Sequence, residues 1–303
     1  MQLRRSFAMS GQFFQQAMDS MAKPIDTLNE ITQGYNVILS DVWGVLHNGI
    51  DAFPAAAQAL SQARADGVSV VLITNASRPS DRVKTMLDQI GVPETAYDAI
   101  VSSGDVTRKL IEKAPRRAFL IGQSQDLSLF HGLDVELVPA DEADAIICTG
   151  LFNDEEEQPE DYRGMLEGLN QRGLPMIVAN PDLIVERGHK LVPCAGALAA
   201  IYAEMGGETR YAGKPHSPIY EAALAKAQEI RGTEIDRSRI IAIGDGMPTD
   251  VRGALSFGLD LLYVSGGIHA AEYTNNGKTD ETMLNAYLER EAATPKWWMP
   301  RLA

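Results

Sequence analysis

Cysteine is scarce in this chain: Cys148 and Cys194 are the whole supply in 303 residues. Two thiols cannot build the disulfide framework of a small secreted domain, so a reducing, cytoplasmic setting is expected. Cys148 ends the apolar run Ala145-Ile146-Ile147-Cys148 and reads as a small core residue. Histidine is also rare, and the 5 present lack the spacing of zinc ligands. Positive charge is in the minority, 27 basic against 41 acidic residues, for a net charge of -14. That balance argues against non-specific binding to nucleic acid or to an anionic membrane surface. No apolar run approaches the length of a membrane span. The opening residues, Met1-Gln2-Leu3-Arg4-Arg5-Ser6, carry positive charge with no sustained apolar stretch behind them, so no secretory signal is expected. Two phosphate-binding signatures are missing as well. No Gly-x-Gly-x-x-Gly follows a strand, and Gly213-Lys214 runs into Pro215 without the upstream glycine of a nucleotide loop.

What is present is a series of short apolar runs cut by polar turns. Val37-Ile38-Leu39 is β-favouring and ends at Asp41, with Gly44 behind it to let the backbone turn away. Such a run reads as a buried strand of a parallel sheet. A carboxylate at its end can act as a nucleophile or hold a metal, or it can simply terminate the strand in a turn. Val68 to Thr74 is a second strand, delivering Thr74 and Asn75 beside a helix that Pro79 and Ser80 start. That turn suits an anion, and equally an N-cap without a ligand. Ala99 to Ser103 is a third strand, with a helix from Asp105. Short links in this β-α-β-α-β pattern predict a doubly wound parallel sheet.

Near residue 106 the pattern restarts. Strands are expected at Ala118 to Ile121, Val135 to Val138, Ala145 to Thr149 and Pro175 to Ala179, with an acidic stretch from Asn153 to Asp161. The main sheet resumes after the loop Tyr211 to Pro218, with Arg239 to Gly244 running into Asp245 and Asp250 following at a helix start. The organisation expected is therefore an N-terminal helical extension over 1–30 and a core made of 31–105 with 206–290. A smaller α/β domain is inserted over 106–205, and 291–303 forms a C-terminal tail. In the extension, Phe13, Phe14, Met18 and Met21 recur at roughly helical spacing. In the tail, Trp297 and Trp298 require cover from the body of the protein or from a second subunit, which puts a homodimer among the expected states.

In a parallel doubly wound sheet the ends at Asp41, Thr74-Asn75 and Asp245 share one edge, and Lys214 reaches it from its loop. Two carboxylates, a hydroxyl and an ammonium around one small space suit a magnesium ion and a phosphoryl group. The ordered set Asp41-Val42-Trp43-Gly44, Thr74-Asn75, Gly213-Lys214-Pro215 and Gly244-Asp245-x-x-x-Thr249-Asp250 resembles the haloacid dehalogenase superfamily. The insertion between Asn75 and Lys214 resembles its class IIA cap, as do Val178 to Asp182 and Pro193 to Leu198. The resemblance covers roughly residues 30 to 290.

That resemblance implies a hydrolase of small phosphate monoesters, of the sugar phosphate, nucleotide monophosphate or pyridoxal phosphate type. Asp41 would be the nucleophile that forms an aspartyl-phosphate. Asp41, the Trp43 carbonyl and Asp245 would hold magnesium, and Thr74 and Asn75 would bind phosphoryl oxygens. Lys214 would stabilise charge around nucleophile and phosphate, with Asp250 ordering it or the metal's waters. Asn180 and Asp182 would be cap contacts to substrate, although Asn-Pro-Asp is also an ordinary turn. One position departs from the pattern: Trp43 stands where the family's phosphatases carry the aspartate that serves as general acid and base. Such help is worth about 10²- to 10⁴-fold in rate. A slow phosphatase, one using another acid, or one restricted to good leaving groups is therefore expected, with His47 and Asp250 as replacement candidates. A non-hydrolytic phosphate-binding or regulatory protein is the alternative. A dehalogenase, in which a bulky aromatic also occurs here, comes third.

Overall fold

The computed structural model describes residues 21–187 and 190–303. The first part of the chain forms β1 (Lys23–Pro24), α1 (Asn29–Thr32), β2 (Val37–Ser40), α2 (Pro54–Ala65), β3 (Ser69–Thr74), α3 (Ser80–Gln89), β4 (Ala99–Ser102) and α4 (Ser103–Ile111). The middle forms β5 (Arg117–Ile121), β6 (Glu136–Leu137), β7 (Ala145–Cys148), α5 (Arg163–Gln171), β8 (Met176–Val178), β9 (Ile184–Arg187), β10 (Lys190–Pro193), α6 (Ala195–Glu204) and β11 (Thr209–Tyr211). The last part forms α7 (Ser217–Arg231), β12 (Ile240–Gly244), α8 (Arg252–Ser256), β13 (Asp260–Val264), β14 (Thr274–Asn275), β15 (Lys278–Thr279), α9 (Glu281–Arg290) and β16 (Trp297–Met299).

The larger sheet has the order β1-β16-β13-β12-β2-β3-β4, with every neighbouring pair parallel. Strands β2, β3 and β12 are buried at every position. Helices cover both faces, which is why these strands read as unbroken apolar runs instead of alternating. Leu39, Val71 and Ile73 pack on one side with Ile219 and Tyr220 of α7. Ile38, Val70 and Leu72 pack on the other with Leu60 of α2 and Leu87 of α3. Each fully buried aliphatic chain of this kind contributes roughly 1.5–3 kcal/mol. In α2, Pro54 presets the first turn, and the alanine-rich stripe Ala56, Ala57, Leu60, Ala63 faces the sheet. In α4 a capping box closes the start: Ser102 Oγ accepts from the Asp105 N–H, and Asp105 Oδ2 accepts from the Ser102 N–H.

From β2 the chain builds outward through β3 and β4, then returns to place β12 on the other side of β2. The order therefore reverses between β2 and β12, and ligands of open α/β sheets bind at such a point, beyond the carboxyl ends of the strands. The expected doubly wound α/β architecture is the one observed.

The second sheet is also parallel, in the order β11-β8-β7-β5-β6, with its own core around Ile146, Leu166 and Leu198. Residues 206–211, expected with the resumed main sheet, instead supply β11, which pairs with β8 through Thr209↔Met176. The pair β9–β10 is an antiparallel hairpin outside both sheets.

The chain ends differ from expectation. The residues of 291–303 do not trail as a tail: β16 lies between β13 and β1, and the Leu28 N–H donates to the Ala303 carbonyl. Trp298 is buried, and Trp297 meets Tyr35 edge-on at 5.8 Å. The body of the protein supplies the cover these rings need, so they no longer motivate a second subunit. Of the helix expected in the extension, Phe13, Phe14 and Met18 lie outside the described residues; Met21 is exposed and β1 follows it. Among the described residues, no helix is long and apolar enough to cross a membrane.

Candidate active site

Asp41 follows β2 directly, and its N–H donates to the Ile243 carbonyl of β12, so the reversal point of the sheet is built around this residue. Asp245 follows β12. Lys214 comes from the loop between β11 and α7, and Asp250 from a π-helical turn over Met247–Val251. All are nearly sealed from solvent: Asp41 is 7% exposed, Lys214 2%, Asp245 3% and Asp250 3%. Lys214 Nζ lies 2.5 Å from Asp41 Oδ1 and 2.6 Å from Asp250 Oδ1. One oxygen from each of Asp41, Asp245 and Asp250 lies within 4.8 Å of the others.

Asp250 and Asp245 are each held from a further side. Asp250 Oδ2 accepts from the Gly246 N–H at 3.0 Å. Asp245 Oδ2 accepts from the Ile268 N–H at 2.9 Å. A Cβ at Gly44 would fall 2.3 Å from Asp245 Oδ2, and one at Gly267 would fall 2.0 Å from it. Asp245 is therefore wedged between two glycines, one from the turn after β2 and one from the loop after β13. Gly44 also turns the chain in the left-handed region, at φ 81°. The Gly267–Ile268 segment has no expected role from sequence, although the double glycine after a strand is its visible signal.

Electrostatics follow from burial. Loss of solvent pushes the Asp41 carboxyl well above its ordinary range; Asp250 adds to the push, Lys214 opposes it and Asp245 adds again. Asp245 is pushed up to about 7, by burial first and by Asp250 second. Burial pulls the Lys214 ammonium down, but Asp250 and Asp41 outweigh it and hold it above its usual value. Three carboxylates against one ammonium leave negative charge uncompensated in a dry site. Hard oxygen donors with that deficit fit a magnesium-like dication.

Thr74 is buried beside this edge, and its hydroxyl accepts from the Ala76 N–H at 3.3 Å. Asn75, expected as a phosphoryl ligand, spends both amide hydrogens elsewhere. Its Nδ2 donates to the Lys214 carbonyl at 3.0 Å and to Asp182 Oδ1 at 2.8 Å, while Oδ1 accepts from the Lys214 N–H at 2.7 Å. Its side chain thus clamps the lysine loop to the inserted domain. Asn180 Oδ1 accepts from the Asp182 N–H at 2.9 Å, so Asn180 shapes the turn that presents Asp182. Trp43 is half-buried, with its indole nitrogen against Gly49. His47 is buried, and its Nδ1 accepts from the Gly49 N–H at 2.8 Å.

Comparison with known proteins agrees with this arrangement. Residues 38–136 match the model of the haloacid dehalogenase-like hydrolases, and residues 211–292 match a second model of hydrolases of that type. A solved hydrolase of the haloacid dehalogenase-like family from Brucella suis 1330 is 51% identical, with a TM-score of 0.81 over 92% of this chain and 100% of that one. The acid sugar phosphatase of Staphylococcus aureus is 24% identical over 257 residues, covering 82% of this chain and 93% of the relative. The 4-nitrophenylphosphatase of Thermotoga maritima superposes with a TM-score of 0.66 at 21% identity, over 88% of this chain and 95% of that one. At that last identity the likeness speaks to the fold.

Proposed function

The chain belongs to the haloacid dehalogenase-like hydrolase family, and from that premise we propose that it is a phosphatase: a magnesium-dependent hydrolase of small phosphate monoesters working through Asp41. The observation that carries the reading is the buried Asp41 at the reversal point of the sheet, with the Lys214 ammonium 2.5 Å away and two further carboxylates alongside. Sugar phosphates are the favoured substrates, given the similarity to an acid sugar phosphatase. The inserted domain serves as the cap that selects the small phosphorylated metabolite. The buried thiols Cys148 and Cys194 support a reducing, cytoplasmic setting.

In this mechanism Asp41 attacks phosphorus in line, the P–O bond to the leaving alcohol breaks, and an aspartyl-phosphate forms. Lys214 orients the attacking carboxylate and offsets charge on the transferring group, and Asp250 fixes Lys214 in turn. Thr74 offers its hydroxyl to a phosphoryl oxygen. Asp41, Asp245 and the Trp43 carbonyl would hold magnesium, whose charge would favour the ionised carboxylates and the phosphoryl oxygens. Water then attacks the aspartyl-phosphate, freeing phosphate and restoring Asp41.

The test is phosphate release from a panel of esters with magnesium, compared with EDTA and with Asp41→Asn. Release by the wild type alone, abolished by chelation, is the expected result. Equal background in all three would end the reading. Trp43 favours a second reading, since an indole N–H is a hydrogen-bond donor but far too weak an acid to protonate a leaving group: a protein that binds phosphate ligands without turnover, stabilised thermally by them.

A further inference from the structure

Both candidates for the missing acid fail on geometry. His47 Nδ1 accepts the Gly49 N–H, so its proton sits on Nε2, which is buried without a hydrogen-bond partner. Protonating Nδ1 would set two donors against each other, and burial holds the imidazole in its neutral form. A neutral imidazole N–H is too weak an acid to assist a leaving alkoxide. Asp250 has one oxygen on Lys214 and the other on the Gly246 N–H, so both oxygens already accept and neither faces a leaving group.

A third carboxyl reaches the site from the inserted domain. Asp182 lies 107 positions along the chain from Asn75, yet their side chains meet at 2.8 Å. Its loop is rigidly seated. Asn180 ties down the Asp182 N–H, and the Cys194 N–H donates to the Leu183 carbonyl at 3.0 Å. A Cβ at Gly196 would fall 2.1 Å from the Pro181 carbonyl oxygen, and one at Gly213 would fall 2.7 Å from Pro181 Cδ. Through Asn75 and the Lys214 backbone, Asp182 is two contacts from the residue that grips Asp41. Unlike Asp41, it keeps part of its surface open. It also stands on the inserted-domain side of the clamp that Asn75 makes with the lysine loop.

Building on the phosphatase reading, we propose that Asp182 is the general acid and base of this protein, supplied by the inserted domain in place of the aspartate that Trp43 displaces. As Asp41 attacks and the P–O bond breaks, the Asp182 carboxyl gives its proton to the departing alkoxide. The carboxylate left behind takes a proton from the water that attacks the aspartyl-phosphate, so one turnover consumes one water and restores both residues. Its surroundings shift it in the direction that a general acid needs. Burial raises the Asp182 carboxyl above its ordinary value, with the Asn75 hydrogen bond and Lys214 opposing and Asp250 adding. Among the described residues, Lys214 and Asp250 are the charged groups that act on it.

The experiment uses the full chain with magnesium and compares wild type, Asp182→Asn and Asp182→Glu on 4-nitrophenyl phosphate and on a sugar phosphate. For Asp182→Asn, hydrolysis of the sugar phosphate should fall by about 10²- to 10⁴-fold. With 4-nitrophenyl phosphate, whose leaving group needs no proton, the same variant should release a stoichiometric burst of nitrophenolate and then stall as phosphoenzyme. Asp182→Glu should recover part of the sugar phosphate rate. Equal losses on both esters without a burst would overturn the assignment and leave Asp182 a positioning residue. Wild-type rates in Asp182→Asn would overturn it outright. A wild type inactive on every ester would overturn the phosphatase reading, and this inference with it.

Discussion

Replacing Gly267 by alanine tests how the site holds its acidic ligand. The added methyl would stand 2.0 Å from Asp245 Oδ2, 2.3 Å from its Cβ and 2.5 Å from its Cγ. Contacts of that kind are not tolerated below about 3 Å, so the carboxylate must retreat by roughly 1 Å or the loop must move, and such packed interiors resist either. Retreat also strips the 2.9 Å hydrogen bond from the Ile268 N–H, a bond to a charged group worth about 1.5–3 kcal/mol. A misplacement of about 1 Å near the chemistry costs on the order of 10²-fold in rate. Gly267→Ala should therefore show kcat lowered by about that factor and a raised magnesium concentration for half-maximal rate. The assay is phosphate release across a magnesium titration, with circular dichroism to establish that the variant is folded. A folded variant with the wild-type rate and the wild-type magnesium requirement would refute the claim that Asp245 is pinned between Gly44 and Gly267.

Lys214→Met should abolish turnover and destabilise the fold by about 3–5 kcal/mol, because it leaves Asp41 and Asp250 buried without their ammonium; urea unfolding reads the second effect. Asp245 titrates near its ordinary 3.8 when unfolded and at about 7 when folded. Its raised folded value means the stability cost is nil below the first value, grows between the two and is constant above the second. Without metal, the melting temperature of the wild type relative to Asp245→Asn should therefore fall as pH rises from 4 to 7, and magnesium should raise the wild type most at the alkaline end. Taking this difference removes the opposing trend of His47, His216 and His269, which burial holds low. A flat difference would refute the assignment. Gly168→Ala lies in α5 with nothing near its Cβ, and should stabilise the protein by about 0.5–1 kcal/mol without changing activity.

Much of this protein is readable from residues alone because the information is local. Val37 to Asp41, Val68 to Asn75 and Ile240 to Asp245 are each a complete statement: a strand buried on both faces, then a polar residue at its carboxyl end. The doubly wound sheet and the family follow from those units in order. The misreadings have physical causes of the opposite kind. Trp297 and Trp298 read as a loose tail because a strand at the end of the chain has no local turn to mark it; only pairing with β13 makes it one. The hairpin β9–β10 does carry a local signal, two β-favouring runs two residues apart, yet the strands expected from sequence do not include it.

Residue order is enough to name the groups at the strand ends and their succession. What each of them touches there is a matter of the folded chain. The fold engaged the Asn75 side chain as a clamp, since its partners Lys214 and Asp182 lie more than a hundred positions away. It wedged Asp245 between glycines from two other strand ends, and it brought Asp182 of the inserted domain against Asn75. Side-chain roles of this sort depend on distances between segments, and spacing along a chain does not encode distance through space.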